Sequence, residues 1–241
     1  MSAIISIVIT IINSLCIYVI LTTKKLREKP PMIFIVNLLV TYLLQGVFVV
    51  PAYAVYRSGD YSESSFPYIC DVWRLTYMIT FYVMCVNVLL IAIDRLLATK
   101  YALSRKIRLT SERCKILCCL AWLYIILLCL IPFVPLKRSK SLENSKCHYN
   151  QPREWSIFML LVNSALPLAL NLGIYVYIAR TMKQNSKVLF GQQKKHSQAA
   201  IDRMALNRKL TTLTVKITLL YGVTWIPSIV YYNRVHSAFF V

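Results

Sequence analysis

Six stretches of roughly 20 predominantly apolar residues divide this chain, and that spacing constrains its fold more than any other feature. A helix rising 1.5 Å per residue needs about 20 residues to cross ~30 Å of hydrocarbon. The stretches run from Ala3 to Thr22, Pro31 to Tyr56, Ile69 to Thr99, Cys114 to Val134, Trp155 to Met182 and Leu210 to Val235. Ala199 to Lys209 can extend the last one into water, so its helix is expected over about 205–235. The pattern predicts an all-α, polytopic transmembrane bundle of about six helices. Composition agrees, because 58% apolar residues are too many for a soluble globule of 241 residues. No basic region precedes the first stretch and no small-residue cleavage site precedes Lys24, so it reads as a spanning helix rather than a signal peptide.

The formal net charge of +19 raises nucleic acid as a partner, but its distribution points elsewhere. Cations crowd three segments: Lys24 to Lys29 after the first helix, Arg95 to Lys115 after the third, and Arg180 to Lys209 after the fifth. The opposite face carries a thinner set that includes Arg57, Arg74, Lys137 and Arg153. The positive-inside rule then places the crowded loops in the cytoplasm and the N-terminus outside. Topogenesis accounts for these charges, so no nucleic acid is expected and the partner is the lipid bilayer. The chain reads as one bundle domain over 1–241, with a polar cytoplasmic loop at 183–204 and no internal repeat.

The same topology sorts the cysteines. Cys16, Cys85, Cys114, Cys118, Cys119 and Cys129 lie in or beside helices, where a thiol behaves as a small apolar group. Cys70 and Cys147 belong to the outer, oxidising face, and a disulfide between them is expected. His148, His196 and His236 are scattered, so neither a metal centre nor another cofactor is expected.

The third stretch ends in an ionic pair, Asp94-Arg95, 24 residues after Cys70. At 1.5 Å per residue that separation is roughly 36 Å, which places the two landmarks at opposite membrane faces. Other helices carry landmarks of their own: Asn13 in the first, Asn37-Leu38 and Pro51 in the second, Trp122 and Pro132 in the fourth. The fifth carries Pro167 and Tyr175, and the sixth carries Thr224-Trp225-Ile226-Pro227. In this order and spacing they resemble the rhodopsin-like (class A) G-protein-coupled receptors, and the resemblance covers the chain from its first helix to its sixth. Ile93-Asp94-Arg95-Leu96 is similar to the family's Asp-Arg-Tyr motif, with Leu96 in place of tyrosine, and Thr224 to Pro227 is similar to its Cys-Trp-x-Pro switch.

The resemblance implies roles. Asp94 holds Arg95 at rest, and Arg95 with Tyr175 meets a heterotrimeric G protein in the active state. Leu103 is the apolar knob of the second cytoplasmic loop, and Trp225 beside Pro227 couples ligand to the swing of helix 6. The implied ligand pocket is Tyr77, Met78, Phe81, Trp225, Ser228, Ile229 and Tyr232, an aromatic and neutral set. Amine receptors carry an aspartate where Tyr77 stands, so a monoamine is not expected. An acidic peptide or a lipid-like molecule is an open partner for the cationic outer loop from Lys137 to Lys146, although solvated surface lysines explain that loop as well. Plasma-membrane localisation follows from the same likeness.

Several positions depart from the family. Tyr42 and Met84 replace the polar residues of its sodium pocket, and Asn207 stands where many members place a glutamate facing Arg95. Nothing follows Val241, so a receptor truncated before helix 7, as a fragment or gene-model product, is expected ahead of a natural six-helix form. The alternatives are a non-signalling partner that dimerises with a full-length receptor, and a transporter or channel subunit. Against the latter stand the absence of inverted repeats and helix interiors nearly free of charge apart from Lys216. No paired aspartate or Ser/His dyad lies within the helices, so no catalytic residue is assigned and an enzyme is not expected.

Overall fold

The computed structural model describes residues 2–58, 66–100, 109–131 and 153–191, with isolated helical positions at 209, 212, 215 and 216. Among them no strand occurs. Five long helices follow one another. α1 spans Ser2–Thr22, and α2 comprises Pro31–Leu44, a wide π turn at Gln45–Val49, and Val50–Ser58. α3 spans Phe66–Lys100 and α4 Ser111–Leu130, while α5 comprises Arg153–Leu160, a second π turn at Leu161–Ala165, and Leu166–Gly191. All five are long and apolar enough to cross a membrane. The protein is an all-α transmembrane helix bundle.

Both π turns have one local cause. Proline has no N–H to donate, and its ring collides with the carbonyl four residues earlier. Pro51 and Pro167 each stand two residues after such a turn, where Val50 N–H reaches back to Gln45 O and Leu166 N–H to Leu161 O. The helix absorbs the missing bond by widening instead of breaking. α4 starts at Ser111, three residues before the expected Cys114, because the Thr110 hydroxyl caps it by accepting from Arg113 N–H. Two stretches expected as loops are helical: Lys24–Arg27 forms a single turn, and α5 continues to Gly191, past the expected boundary at 183. The expected sixth helix lies almost wholly outside the described residues.

The described chain divides into two compact units. One comprises Met1–Leu90 and Leu109–Pro167. Lipid tails are as apolar as leucine, so close packing and interhelical hydrogen bonds must hold this unit together. Ser6 Oγ of α1 donates to Gly46 O of α2 at 2.6 Å, and a Cβ placed on Gly46 would lie 2.9 Å from both Ile9 Cγ2 and Thr10 Oγ1. The two backbones can approach this closely only at a glycine. Trp122 Nε1 of α4 donates to Asn37 Oδ1 of α2 at 2.8 Å, and Asn87 Nδ2 of α3 donates to Phe34 O at 3.1 Å. The outward face of α1, with Ile4, Ile7, Leu15 and Tyr18 exposed, is the apolar surface a bilayer solvates.

The other unit comprises Ile91–Arg108 and Leu168–Val241. Its core is Ala92 of α3 with Tyr175 and Ile178 of α5, against which Leu96, Ile174 and Val215 pack.

Candidate functional site

The last turns of α3 carry the site. Asp94 and Arg95 are 7% and 4% exposed, so both ions are nearly withdrawn from solvent. They compensate one another: Arg95 Nε donates to Asp94 Oδ2 at 3.0 Å, and Arg95 Nη2 donates to the same oxygen. A buried cation left alone at this depth costs several kcal/mol, so the neighbouring carboxylate is what allows it to be there. Thr99 Oγ1 donates to Arg95 O at 2.8 Å and closes the turn below.

Tyr175 belongs to the same core as Ala92 and Leu96, which flank the ionic pair in sequence. The tyrosine is 8% exposed, and its hydroxyl has no hydrogen-bond partner among the described residues. One turn earlier on α5, Asn171 is buried, and its Oδ1 also lacks a described partner. A buried polar atom left without a partner costs ~1–3 kcal/mol. The described residues at this end of α3 and α5 thus include a neutralised cation on one helix and, on the other, a tyrosine hydroxyl without a described partner.

Of the positions expected to line a pocket, the three that are described all lie on α3. Tyr77 and Met78 are half-buried and Phe81 is buried. The Tyr77 and Phe81 rings, one turn apart, stack at 6.1 Å with 11° between their planes. Cys70 is buried and disulfide-bonded. Leu103, Cys147, Trp225, Pro227, Ser228, Ile229 and Tyr232 lie outside the described residues. Of the residues singled out from sequence, the structure pairs Asp94 with Arg95 and packs Tyr175 in one core with Ala92. It leaves Asn13 occupied within its own helix, donating to Ile9 O at 2.7 Å.

Sequence reasoning passed over an inward polar row on α5. Asn163 and Ser164 are buried within the π turn, and Asn163 Nδ2 contacts Met159 Sδ at 3.4 Å. Sulfur is a weak acceptor, so the amide keeps donor capacity. An amide in an apolar stretch is the signal that could have flagged it, since polar groups within a span tend to face the bundle interior.

A spanning bundle whose third helix carries a buried, self-neutralised Asp-Arg pair, next in sequence to a core that includes a tyrosine of the fifth, is the architecture that the receptor resemblance implies. The family model for the seven-transmembrane receptors of the rhodopsin family matches residues 12–236, and the chain belongs to that family. It is 25% identical over 238 residues to neuropeptide receptor 22 of Caenorhabditis elegans, covering 92% of this chain and 54% of that protein. It is also 25% identical to a D(5)-like dopamine receptor of Takifugu rubripes and 24% identical to the D(1C) dopamine receptor of Xenopus laevis. Each of these two matches covers 89% of this chain and 50% of the relative. The chain thus spans about half the length of the relatives it matches. Members of this family are receptors and not enzymes.

Proposed function

We propose that the chain binds an extracellular ligand at the plasma membrane and transmits that event to a heterotrimeric G protein at the cytoplasmic end of α3 and α5. The N-terminus faces outward and the Lys24–Lys29, Arg95–Lys115 and Arg180–Lys209 segments face the cytoplasm, as their charge supports. The single observation carrying this reading is the buried Asp94–Arg95 pair beside a core that contains Tyr175. A cation so placed persists because it changes partners: Asp94 holds it at rest, and an entering G protein engages it in the active state. The ligand is peptide-like rather than a monoamine. The dopamine receptors among the relatives bear on the fold, but Tyr77 stands where an amine requires a counter-ion, its ring stacked on Phe81, and a neuropeptide receptor is also among the relatives.

Receptor-catalysed nucleotide exchange, read in membranes with added G protein, tests the proposal. Arg95→Ala should abolish coupling while surface expression stays close to that of the parent. Undiminished exchange by Arg95→Ala would remove this residue from the mechanism.

A further inference from the structure

One stripe of α5 runs through Asn171, Ile174, Tyr175 and Ile178, which follow one another at helical spacings of three and four. Asn171, Tyr175 and Ile178 are buried and Ile174 is half-buried, whereas Leu172, Gly173, Val176 and Tyr177 between them are exposed. Tyr175 and Ile178 form the core with Ala92, against which Leu96, Ile174 and Val215 pack. Asn171 ends that stripe with an amide only 1% exposed, and its Oδ1 finds no donor among the described residues. An apolar side chain of the same branched shape would fill this position without the ~1–3 kcal/mol that an unmet acceptor costs. Polar groups within a span are expensive, and one that packing does not require earns a functional reading.

The Tyr175 hydroxyl, one turn further along, is the other buried atom of this stripe without a described partner. The two are complementary in kind, because a carboxamide oxygen accepts and a phenol donates. Residues one turn apart on one face have Cβ atoms about 5–6 Å from each other, a span that one water molecule can bridge. Such a water costs at most ~2 kcal/mol to immobilise, which is less than two unmet polar atoms cost together. Resting on the coupling site proposed above, we infer that Asn171 is a positioning residue of the switch. In the active arrangement its Oδ1 accepts from a water that accepts in turn from the Tyr175 hydroxyl, and this bridge holds the phenol in place while Arg95 exchanges partners. Asn171 acts through Tyr175 and not on the G protein itself.

Two readouts on the full chain test the bridge, both in the Asp94→Asn background, where the resting restraint on Arg95 is removed and no ligand is needed. In nucleotide exchange, Asn171→Leu should lower the ligand-independent rate about fivefold, the loss expected for one hydrogen bond of the active state. Adding Tyr175→Phe should lower it by less than about twofold more, because both changes delete one bridge. Asn171→Ser keeps an oxygen that can accept from water, so its rate should stay within about twofold of the background. In detergent micelles without G protein, carbon NMR of tyrosine isotope-labelled at Cζ reads the phenol directly, and the Tyr175 signal is the one that Tyr175→Phe removes. Asn171→Leu should move that signal and Asn171→Ser should leave it close to its place. The purified Asn171→Leu chain should unfold at the parent's temperature or above. An unmoved signal, additive losses in exchange, or a clear loss of stability, which would give Oδ1 a resting partner, would each overturn the bridge. A moved signal with exchange that neither Asp94→Asn nor Arg95→Ala alters would overturn the coupling reading alone.

Discussion

Arg95 illustrates how far a single residue can be argued from sequence. An ionic pair at the end of an apolar helix is conspicuous because the bilayer makes charge expensive, and the structure shows it buried and self-neutralised. Asp94→Asn removes the negative partner while nearly preserving shape. The guanidinium then lacks about 1.5–3 kcal/mol of charge-assisted bonding in the resting state. Ligand-independent nucleotide exchange should rise, and an unchanged basal rate would mean that Asp94 does not restrain Arg95. Tyr175→Phe separates packing from signalling. The hydroxyl has no described partner, so its removal should leave thermal stability unchanged or slightly raised, and ligand-stimulated exchange should fall if the hydroxyl serves the active state. A clear loss of stability would assign it a resting partner instead. Asn163 and Asn171 were less legible. Whether an amide in an apolar run faces lipid or bundle depends on the helix phase, and the π turn before Pro167 shifts that phase.

Among the elements, α1 and α2 show what the sequence left open. Pro51 announced a bend, but nothing in the local sequence said that the helix would widen at Gln45–Val49 or that Gly46 within that turn would meet α1. Gly46→Ala would force its Cβ to within 2.9 Å of Ile9 and Thr10. Overpacking of this kind costs ~1–3 kcal/mol, so the purified receptor should unfold at a lower temperature. An unchanged transition would show that α1 moves away freely. Trp122→Phe keeps an aromatic ring, though a smaller one, and deletes the bond to Asn37. Interhelical bonds in membranes average ~0.6 and reach ~1.7 kcal/mol, so the loss should be measurable but smaller than that from Gly46→Ala.

For the whole molecule, the decisive prediction is topological. A tag at residue 1 should be accessible on intact cells, and one near Gln192 only after permeabilisation. An extracellular Gln192 would reverse every assignment of loop to side. Peptide mapping without reduction should link Cys70, which is disulfide-bonded, to Cys147. Alkylation of Cys147 before reduction would disprove that pairing.

The number and placement of the first five helices were written in the sequence, because crossing a membrane sets length and hydropathy one segment at a time and needs no knowledge of neighbours. The family was legible for a related reason: its landmarks are prolines, tryptophans and ions that an apolar helix tolerates only at particular depths. The helix phase, and with it the choice between lipid and bundle for each polar side chain, belonged to the tertiary structure. In lipid no hydrophobic pattern tells an inward face from an outward one, since both are apolar. Contacts such as Ser6 with Gly46, Trp122 with Asn37, and Tyr175 with Ala92 decide it. Each joins residues distant in sequence whose match becomes visible only when the helices are set side by side.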